Sequence, residues 1–496
     1  MSPVYVKVEN FNYFNQEKSQ KKWKKFSNFI KKNGKMNIKD KPMLERKIYK
    51  RISDFYINNK NKALLITGAR QVGKSYIIEA FVKEHYKSFI KVDFIENPNL
   101  VKIFDKAQSS EEILLRLSAI YGDKMIPGET LIFFDEIQEY PNIIVQIKYL
   151  LESGEYDYIL SGSLLGTIFK DIKSMPVGYI TIIQMFPLDF EEFAKANNVS
   201  DKVLHLLKQS FADKAPLDEF IHRRMLSLFE LYLIVGGMPS VVETYIKTKN
   251  LRRVAENQIS IIELYKKDIS KYDKDEKLYL QNIFELIPSE LNSKNKRFIL
   301  KNLNENAKFT KYNNSFLWLK NAGVALTAFV ANEPKIPLIL SKSANLFKLF
   351  FNDVGLLAAM YGNNIQLKIL NHETNINFGS IYENLVAQEL TAHGFDLYFY
   401  NNKKLGEVDY LIESDGKIIP IEVKSGKDYY RHAAMDNLLN NKDYKIESGY
   451  VFCNHNIKVD KKTTYYPIYM VMFLDKKQLP NDIIYNEDFS DLNSLV

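Results

Sequence analysis

The chain has 496 residues but a single cysteine, Cys453, and no long apolar run. One cysteine excludes an intramolecular disulfide and a cysteine metal cluster, and it fits a reducing compartment. The nearest approach to a membrane span, residues 226–237, is broken by Glu230 and falls short of the ~18 apolar residues required. The first residues lack the apolar core of a signal peptide. These absences predict a cytoplasmic protein without a membrane partner.

The remaining composition is that of a globular protein, with 46% hydrophobic and 26% charged residues. The length suits roughly three domains of ~150 residues. A net charge of +8 permits nucleic-acid binding without requiring it. Residues 18–41 are rich in lysine, with Trp23, Phe26, Phe29 and Ile30 at helical spacing. Two interpretations stay open: a docked amphipathic helix with a solvated lysine face, or an arm that contacts DNA or RNA.

A phosphate-binding loop follows the first apolar run of the chain. Residues 63–67 read ALLIT, and residues 68–75 read GARQVGKS, which matches GxxxxGK[ST]. A buried strand before the loop and a helix that begins at Lys74 are the context that this motif requires. Backbone N–H groups and the helix N-terminus would face the phosphates. Lys74 would lie near the β- and γ-phosphates and Ser75 would bind Mg²⁺, so we expect ATP and Mg²⁺ as cofactors.

A second motif predicts the other half of an ATP site. Residues 131–134 are apolar and are followed by Asp135 and Glu136. A buried parallel strand reads as a continuous apolar run, and ligands bind at its carboxyl end. Asp135 would hold Mg²⁺ mostly through water, and Glu136 would orient or deprotonate the water that attacks the γ-phosphate. The adjacent glutamate, without an NKxD motif, favours an ATPase of the additional-strand type over a GTPase.

Apolar runs alternate with helical stretches from residue 46 to residue 200. The runs are 63–66, 90–94, 131–134, 158–160 and 180–185, with predicted helices at 111–121 and 143–151 between them. This alternation predicts an α/β fold with a mainly parallel sheet. The strand at 158–160 ends at Ser161, whose hydroxyl is a candidate γ-phosphate sensor, while a helix N-cap at Ser163 is the competing interpretation.

The second half of the chain has a different pattern. Residues 201 to about 285 predict helices with a sharp bend at 236–239. Residues 297–360 predict shorter helices, and basic residues dominate from Lys294 to Lys320, which suits either DNA phosphate contacts or a solvated helical face. The final block predicts one long helix and then strands at 397–400, 407–413 and 417–423.

A charged constellation accompanies the last two of these strands. They predict a hairpin around residues 414–417 that brings Asp409 towards Glu422 and Lys424, with Glu383 on the preceding helix. An aspartate, an ExK pair and an upstream glutamate form the ligand set of PD-(D/E)xK nucleases. Asp409 and Glu422 would hold Mg²⁺, and Lys424 would position or polarise the water nucleophile. The alternative is that the fold persists as a DNA-binding or structural module.

From residue 46 onwards the chain resembles prokaryotic AAA+/STAND-related ATP-binding proteins with a C-terminal DUF4143 region. The matching stretches are TGARQVGKS (67–75), FFDEIQEYP (133–141), LSGSLLG (160–166), MFPLDFEEF (185–193), YLIVGGMPSVV (232–242), FKLFFNDVGLLAAM (347–360), IYENLVAQEL (381–390), EVDYLIE (407–413) and PIEVKSGK (420–427). The resemblance implies a P-loop ATPase core, a helical and winged-helix middle, and a restriction-endonuclease-like end. It also implies that the bend before Pro239 is a lid element near adenine.

These inferences combine into one set of predictions. The boundaries are a basic extension (1–45), a P-loop ATPase core (46–200), a helical lid and winged-helix region (201–372) and a nuclease-like domain (373–496). We expect Mg²⁺-dependent ATP hydrolysis coupled to a nucleic-acid-facing module; the alternatives are a nucleotide-gated switch or scaffold with an inactive nuclease-like domain, and an ATP-regulated nuclease. The predicted nucleotide contacts are Gly68, Ala69, Arg70, Gln71, Val72, Gly73, Lys74, Ser75, Tyr76, Asp135, Ser161 and Pro239.

Overall fold

The computed structural model describes residues 44–59, 61–105, 107, 109–163, 176, 178–270, 277–293, 296–303, 309–362, 365–371 and 378–476. The chain divides into residues 1–43 and residues 44–496, and the description below concerns the second unit. The basic run 18–41 therefore lies outside the described residues. Within them, no helix has both the length and the apolar composition that crossing a bilayer requires.

The first sheet is parallel throughout, in the order β2-β3-β4-β1-β5. β4 is inserted between β1 and β3, which is the additional strand that the sequence predicts. All five predicted strands and both predicted helices are confirmed. The elements are α1 (Lys47–Asn58), β1 (Ala63–Thr67), α2 (Lys74–His85), β2 (Ser88–Asp93), α3 (Asn99–Asp105), α4 (Ser110–Tyr121), β3 (Thr130–Asp135), α5 (Ile143–Glu152), β4 (Asp157–Gly162) and β5 (Ile180–Gln184).

Burial explains why these apolar runs form strands. Every residue of β1 and β3 is buried, because helices cover both faces of the sheet. The parallel register brings the strand ends to one edge, where Asp93 pairs with Asp135 and Thr67 pairs with Gly162. The loop at 68–75 leaves this same edge. The sheet therefore gathers the predicted phosphate loop and the predicted acidic pair at one place.

A helical region follows the first sheet and contains the predicted bend. Its helices are α6 (Phe190–Ala196), α7 (Asp201–Asp213), α8 (Glu219–Val235), α9 (Pro239–Thr248), α10 (Leu251–Ser270), α11 (Lys277–Asn292) and α12 (Phe309–Asn321). A capping box of Asp189 and Glu192 starts α6. The chain reverses between α8 and α9, where Gly236 has φ +71° and Pro239 is the first residue of α9.

The prediction of helices alone over 297–360 is wrong. A hairpin of β6 (Ala325–Ala331) and β7 (Lys342–Phe351) follows α12, and α13 (Val354–Met360) follows the hairpin. The residues of β6 are mainly buried, so their pattern lacks the strict alternation that identifies a half-exposed strand. β6 also pairs with β8 (Tyr398–Asn402), which lies further along the chain. The hairpin thus depends on contacts that the local sequence does not show.

The second sheet is mixed and crosses the predicted boundary at 372/373. Its order is β12-β13-β11-β10-β9-β8-β6-β7. The predicted hairpin is confirmed, with positive φ at Asp415 and Gly416 in its turn. The remaining elements are α14 (Ile365–Leu370), α15 (Phe378–Ala392), β8 (Tyr398–Asn402), β9 (Gly406–Ser414), β10 (Lys417–Val423), α16 (Ala433–Asn440), β11 (Gly449–Cys453), β12 (Lys458–Asp460) and β13 (Thr463–Pro467).

One apolar core joins the parts of this unit. The same cluster of buried side chains runs from Ile48 on α1 through Tyr232 on α8 to Leu385 on α15. Residues 380–390 of α15 are all buried, so this helix is surrounded rather than half-exposed. A movement of one part of the unit would therefore displace packed side chains in the other parts.

Candidate functional site

The loop at 68–75 makes a tight turn at two positions that require glycine. Gly68 has φ +147° and Gly73 has φ +93°. A Cβ added to Gly68 would lie 2.2 Å from the carbonyl oxygen of Met185. Gln71, a non-glycine residue, also has positive φ, at +65°. The loop therefore takes the tight course that a phosphate-binding loop needs, directly after β1 and before α2.

Lys74 lies inside this loop. Its ammonium donates hydrogen bonds to the carbonyl oxygens of Gly68 and Ala69, each at 3.0 Å. The side chain is buried, and burial lowers the pKa of Lys74 to about 8 although Glu136 and Asp135 oppose the shift. Phosphate oxygens would give this cation stronger partners than two neutral carbonyls. The contact of Lys74 with phosphates stays a prediction.

Asp135, at the end of β3, accepts hydrogen bonds from two hydroxyl groups. Ser75 donates to its Oδ2 at 2.7 Å, and Ser161 donates to its Oδ1 in a short hydrogen bond. A hydroxyl and a carboxylate so close together supply the hard oxygen ligands that Mg²⁺ prefers, so these residues fit the predicted metal. Ser75 would hold Mg²⁺ directly and Asp135 through water, and the metal would offset phosphate charge. Ser161 lies within this group, and its sensor role stays a prediction.

Glu136 follows in a left-handed backbone conformation, with φ +55°. Gln138 donates a short hydrogen bond to the carboxylate of Glu136 and accepts one from the backbone N–H of Ser163 at 3.2 Å. The predicted catalytic carboxylate is therefore held by a residue that also contacts the end of β4. Gln138 was not among the sequence-predicted residues, although it belongs to the FFDEIQEYP stretch.

Two further residues of the site were missed by sequence reasoning. Lys91 lies on β2 with its ammonium 3.2 Å from Oδ2 of Asp135. Arg46 donates to the carbonyl oxygen of Val72 at 3.1 Å and to Glu192 at 3.1 Å. A lysine within an otherwise apolar strand run was an available signal for Lys91. Nothing in the local sequence indicates that Arg46 reaches a loop 26 residues later.

The other predicted nucleotide contacts lie around the loop. Tyr76 is 59% exposed at the start of α2. Pro239 lies beside the loop, because a Cβ added to Gly73 would be 3.7 Å from its Cγ. Arg70 forms an ion pair with Asp268 of α10 at 2.8 Å. The bend before α9 and the helix α10 therefore border the phosphate loop, while the contact with adenine stays a prediction.

The region after α10 also touches the loop. A Cβ added to Gly323, in the turn between α12 and β6, would lie 3.0 Å from the backbone nitrogen of Ala69. Tyr265 of α10 donates to the carbonyl oxygen of Arg70 at 3.3 Å. The outer side of the loop is thus covered by residues that come 195 positions or more later in the chain.

The four predicted residues of the C-terminal cluster, Glu383, Asp409, Glu422 and Lys424, lie in one group, in which Glu383 and Glu422 are buried and the other two are partly exposed. Asp409 accepts a hydrogen bond from the backbone N–H of Val423 at 2.9 Å, and Lys424 pairs with Glu422 at 2.7 Å. Burial and the charge of Asp409 raise the pKa of Glu422 to about 8 and also raise the pKa of Glu383. Burial opposes ionisation of Asp409, but the cations Lys348, Lys296 and Lys424 lower its pKa.

Cations from the preceding region enter this cluster. Lys348 of β7 is buried, with its ammonium 2.9 Å from Oε1 of Glu407 and 3.7 Å from Oε2 of Glu383. Lys296 makes a short hydrogen bond to Glu383, and Arg297 pairs with Glu407 at 2.9 Å. Among the residues that the structure describes, no three His, Cys, Asp or Glu side chains form a group that could hold a metal ion. The arrangement supplies its own cations, and a metal at Asp409 and Glu422 stays a prediction.

Three regions of the chain match known protein families. Residues 60–194 match an AAA domain, residues 226–367 match a domain of unknown function (DUF8612), and residues 378–471 match a domain of unknown function (DUF4143). The chain therefore carries an AAA-type ATPase domain and a C-terminal DUF4143 region, as the sequence predicts. The α/β fold class with a parallel sheet is confirmed as well. The nuclease-like character of the C-terminal region stays a prediction.

Known proteins resemble longer parts of the chain at low identity. The uncharacterized protein MJ1544 of Methanocaldococcus jannaschii is 25% identical over 367 residues, which cover 72% of this chain and 73% of that protein. The Walker-type ATPase PABY2304 of Pyrococcus abyssi is 14% identical, covers 64% of this chain and 96% of its own, and has a TM-score of 0.40. The Aeropyrum pernix ORC1 protein, solved in complex with DNA, is 12% identical, covers 66% and 94%, and has a TM-score of 0.28.

Proposed function

We propose that this protein binds and hydrolyses ATP with Mg²⁺ and couples the nucleotide state to a C-terminal module that faces nucleic acid. One observation carries the proposal: Lys74, Ser75, Asp135 and Glu136 meet at the carboxyl edge of a parallel sheet. The match of residues 60–194 to an AAA domain supports it. The proposed roles follow from the chemistry of each side chain.

The loop from Gly68 to Ser75 binds the phosphates, and the buried ammonium of Lys74 contributes the charge that the phosphates attract. Glu136 acts as the base or orienting group for the attacking water. Its left-handed backbone and its hydrogen bond to Gln138 restrict the orientation of the carboxylate. Because Gln138 also contacts Ser163, a change at the end of β4 on nucleotide binding would reach Glu136.

Contacts around the loop support coupling to the rest of the chain. The ion pair of Arg70 with Asp268 and the close approach of Gly323 to Ala69 attach the loop to α10 and to the turn before β6. A loop that tightens around phosphates would move these contacts, and the packed core would transmit the movement. The proposed direction of coupling is therefore from nucleotide to the second sheet.

The nucleic-acid part of the proposal rests on charge. The chain carries a net charge of +8, which favours polyanions. Two of the basic residues predicted to contact DNA already form ion pairs within the protein: Lys296 pairs with Glu383, and Arg297 pairs with Glu407. Among the basic residues of this stretch whose side chains the structure describes, Lys301 and Lys320 are exposed, and we propose them as phosphate contacts. Substituting both with glutamine should weaken DNA binding and reduce its salt dependence.

The test of the central proposal is ATP turnover with and without DNA. Glu136→Gln should keep ATP binding and lose turnover by roughly 10²-fold or more, since it removes the base but no phosphate contact. Lys74→Ala should lose both. Glu139→Gln is the matched control, because this exposed carboxylate lies three residues after Glu136 and should leave turnover unchanged. An absence of turnover in the wild type under every condition would remove the hydrolysis part of the proposal.

A nucleotide-gated switch or scaffold with an inactive nuclease-like domain is the second candidate function. The observation that favours it is the pairing of the C-terminal cluster with Lys348 and Lys296, which takes the charge that a nuclease metal would neutralise. A cleavage assay with Mg²⁺ or Mn²⁺ separates it from a nuclease. Cleavage that disappears in both Asp409→Ala and Lys424→Ala would establish the nuclease, and its absence in the wild type would favour the switch.

A further inference from the structure

Lys91 lies beside the proposed magnesium site. Its ammonium nitrogen is 3.2 Å from Oδ2 of Asp135, 3.3 Å from Oδ2 of Asp93 and 3.5 Å from Oε1 of Glu79. Oδ2 of Asp135 is the oxygen that accepts the hydrogen bond of Ser75 at 2.7 Å. One carboxylate oxygen is therefore shared by the hydroxyl that would bind the metal and by a cation that the chain itself supplies.

The surroundings of Lys91 are built around this charge. Asp93 and Asp135 are both buried and face each other in register on β2 and β3. Glu79 lies one turn after Ser75 on α2. Without a cation, these carboxylates would repel one another across a short distance. Lys74, the other ammonium of the site, donates to backbone carbonyls instead, so the ammonium in direct contact with Asp135 is that of Lys91.

We propose that Lys91 is a positioning residue that neutralises Asp135 until a nucleotide arrives, so that Mg²⁺ enters the site only together with ATP. The inference rests on the proposed ATP site. In the nucleotide-free protein, the ammonium repels a free hydrated divalent ion from Asp135. ATP brings several negative charges next to Lys74 and Ser75, which reverses this balance in favour of the metal. Lys91 acts through Asp135 and needs no contact with the reacting atoms.

Metal binding distinguishes a neutralising role of Lys91 from a purely structural one. A structural lysine would change stability when removed and would leave the order of binding unchanged. A neutralising lysine instead suppresses metal binding in the absence of nucleotide. Removing it should therefore create nucleotide-free metal affinity at Asp135, with the ion retaining water ligands as Mg²⁺ and Mn²⁺ commonly do.

The experiment is a Mn²⁺ titration without nucleotide, followed by electron paramagnetic resonance. Lys91→Met should bind free Mn²⁺ roughly tenfold or more tightly than the wild type, because a unit charge near the site has been removed. Lys91→Arg keeps the charge and should behave like the wild type. Lys87→Met is the matched control. Lys87 lies just before the same strand, forms an ion pair with Glu129, and has a side chain that is 73% exposed.

Asp135→Asn in the Lys91→Met background locates the gained affinity. The gain should disappear, whereas a gain at the C-terminal cluster or on the surface would persist and overturn the proposal. Equal Mn²⁺ affinity in Lys91→Met and the wild type would overturn it too. If the methionine variant does not fold, Lys91→Gln repeats the comparison with a smaller polar side chain, and the same two results decide.

ATP binding is measured in the same samples, with Lys74→Ala as the negative control. A wild type that binds no ATP would end the proposed function. The Mn²⁺ comparison is made without nucleotide, so it reports on Lys91 and Asp135 whether or not turnover is detected. The two failures are therefore distinguishable.

Discussion

Replacing Lys348 with methionine tests whether the C-terminal cluster is held together by protein cations. Lys348 is 1% exposed and lies 2.9 Å from Glu407 and 3.7 Å from Glu383. Methionine has a similar length but no charge, so the substitution removes the cation and preserves most of the volume. The buried Glu383 and the partly exposed Glu407, whose side chain is 25% exposed, then each lose one partner.

The expected loss in the free energy of unfolding depends on the partners that the two carboxylates keep. Breaking a buried ion pair by removing one partner costs about 3–5 kcal/mol. Glu407 keeps Arg297 at 2.9 Å and Asn401 at 2.6 Å, and Glu383 keeps Lys296, so the lower end of the range applies. We expect a loss of about 3 kcal/mol in the free energy of unfolding. Adding Glu407→Gln should recover about 1–2 kcal/mol, since the uncompensated charge is then removed.

The assay is urea-induced unfolding followed by circular dichroism, with hydrogen exchange of the β7 and β9 amides to locate the effect. Lys342→Met is the control on the same strand. Lys342 is exposed and lies 3.8 Å from the ring centre of Phe329, so its loss should cost no more than about 1 kcal/mol. If Lys348→Met unfolds within about 0.5 kcal/mol of the wild type, the idea that this cation stabilises the cluster is wrong.

Three further predictions address the nucleotide loop and the core. Because the pKa of Lys74 is about 8, ATP affinity should fall roughly tenfold from about pH 7.5 to about pH 9.5, whereas Lys74→Arg should show no such fall in a binding titration. Burial and the charge of a neighbouring aspartate raise the pKa of Glu389 from 4.5 to about 8, so stability decreases as pH rises through this window. Glu389→Gln should therefore gain stability over the wild type, by about 2 kcal/mol near pH 8.5 and little near pH 5, in urea unfolding. Gly323→Val should weaken ATP binding several-fold, because its Cβ would press on Ala69. Gly128→Ala is the control for this variant, with φ +71° and open space around the Cβ, and should leave binding unchanged.

Local sequence patterns were enough to predict the segments that form the candidate nucleotide site. The loop motif, the apolar run before it and the acidic pair at 135–136 each report on a segment of fewer than ten residues. The parallel sheet then brings these segments to one edge, because the carboxyl ends of parallel strands coincide. Asp135 and Ser75 are 60 residues apart in the chain, and the structure brings them into hydrogen-bond contact.

The features that sequence reasoning missed depend on pairing between distant segments. β6 lacks strict alternation because its neighbours bury most of its residues, and one of these neighbours, β8, lies beyond α15. The role of Lys348 is equally non-local: its partners Glu383 and Glu407 belong to a helix and a strand that follow later. A lysine in the run FKLFF gives no sign that its ammonium is buried.

Helix α15 connects the surroundings of the phosphate loop with the distant carboxylate cluster. Glu383 on this helix belongs to the cluster, Gln388 accepts a hydrogen bond from the backbone N–H of Val354 at 2.9 Å, and Glu389 accepts one from Phe190 at 2.9 Å. All three side chains are buried, so the helix cannot shift without breaking one of these bonds. Phe190 begins the helix that carries Glu192, and Glu192 binds the same arginine that reaches the phosphate loop. Buried polar contacts, joined to one another by α6 and α15, therefore lie between the loop and the cluster, and we expect substitutions along them to alter both sites together.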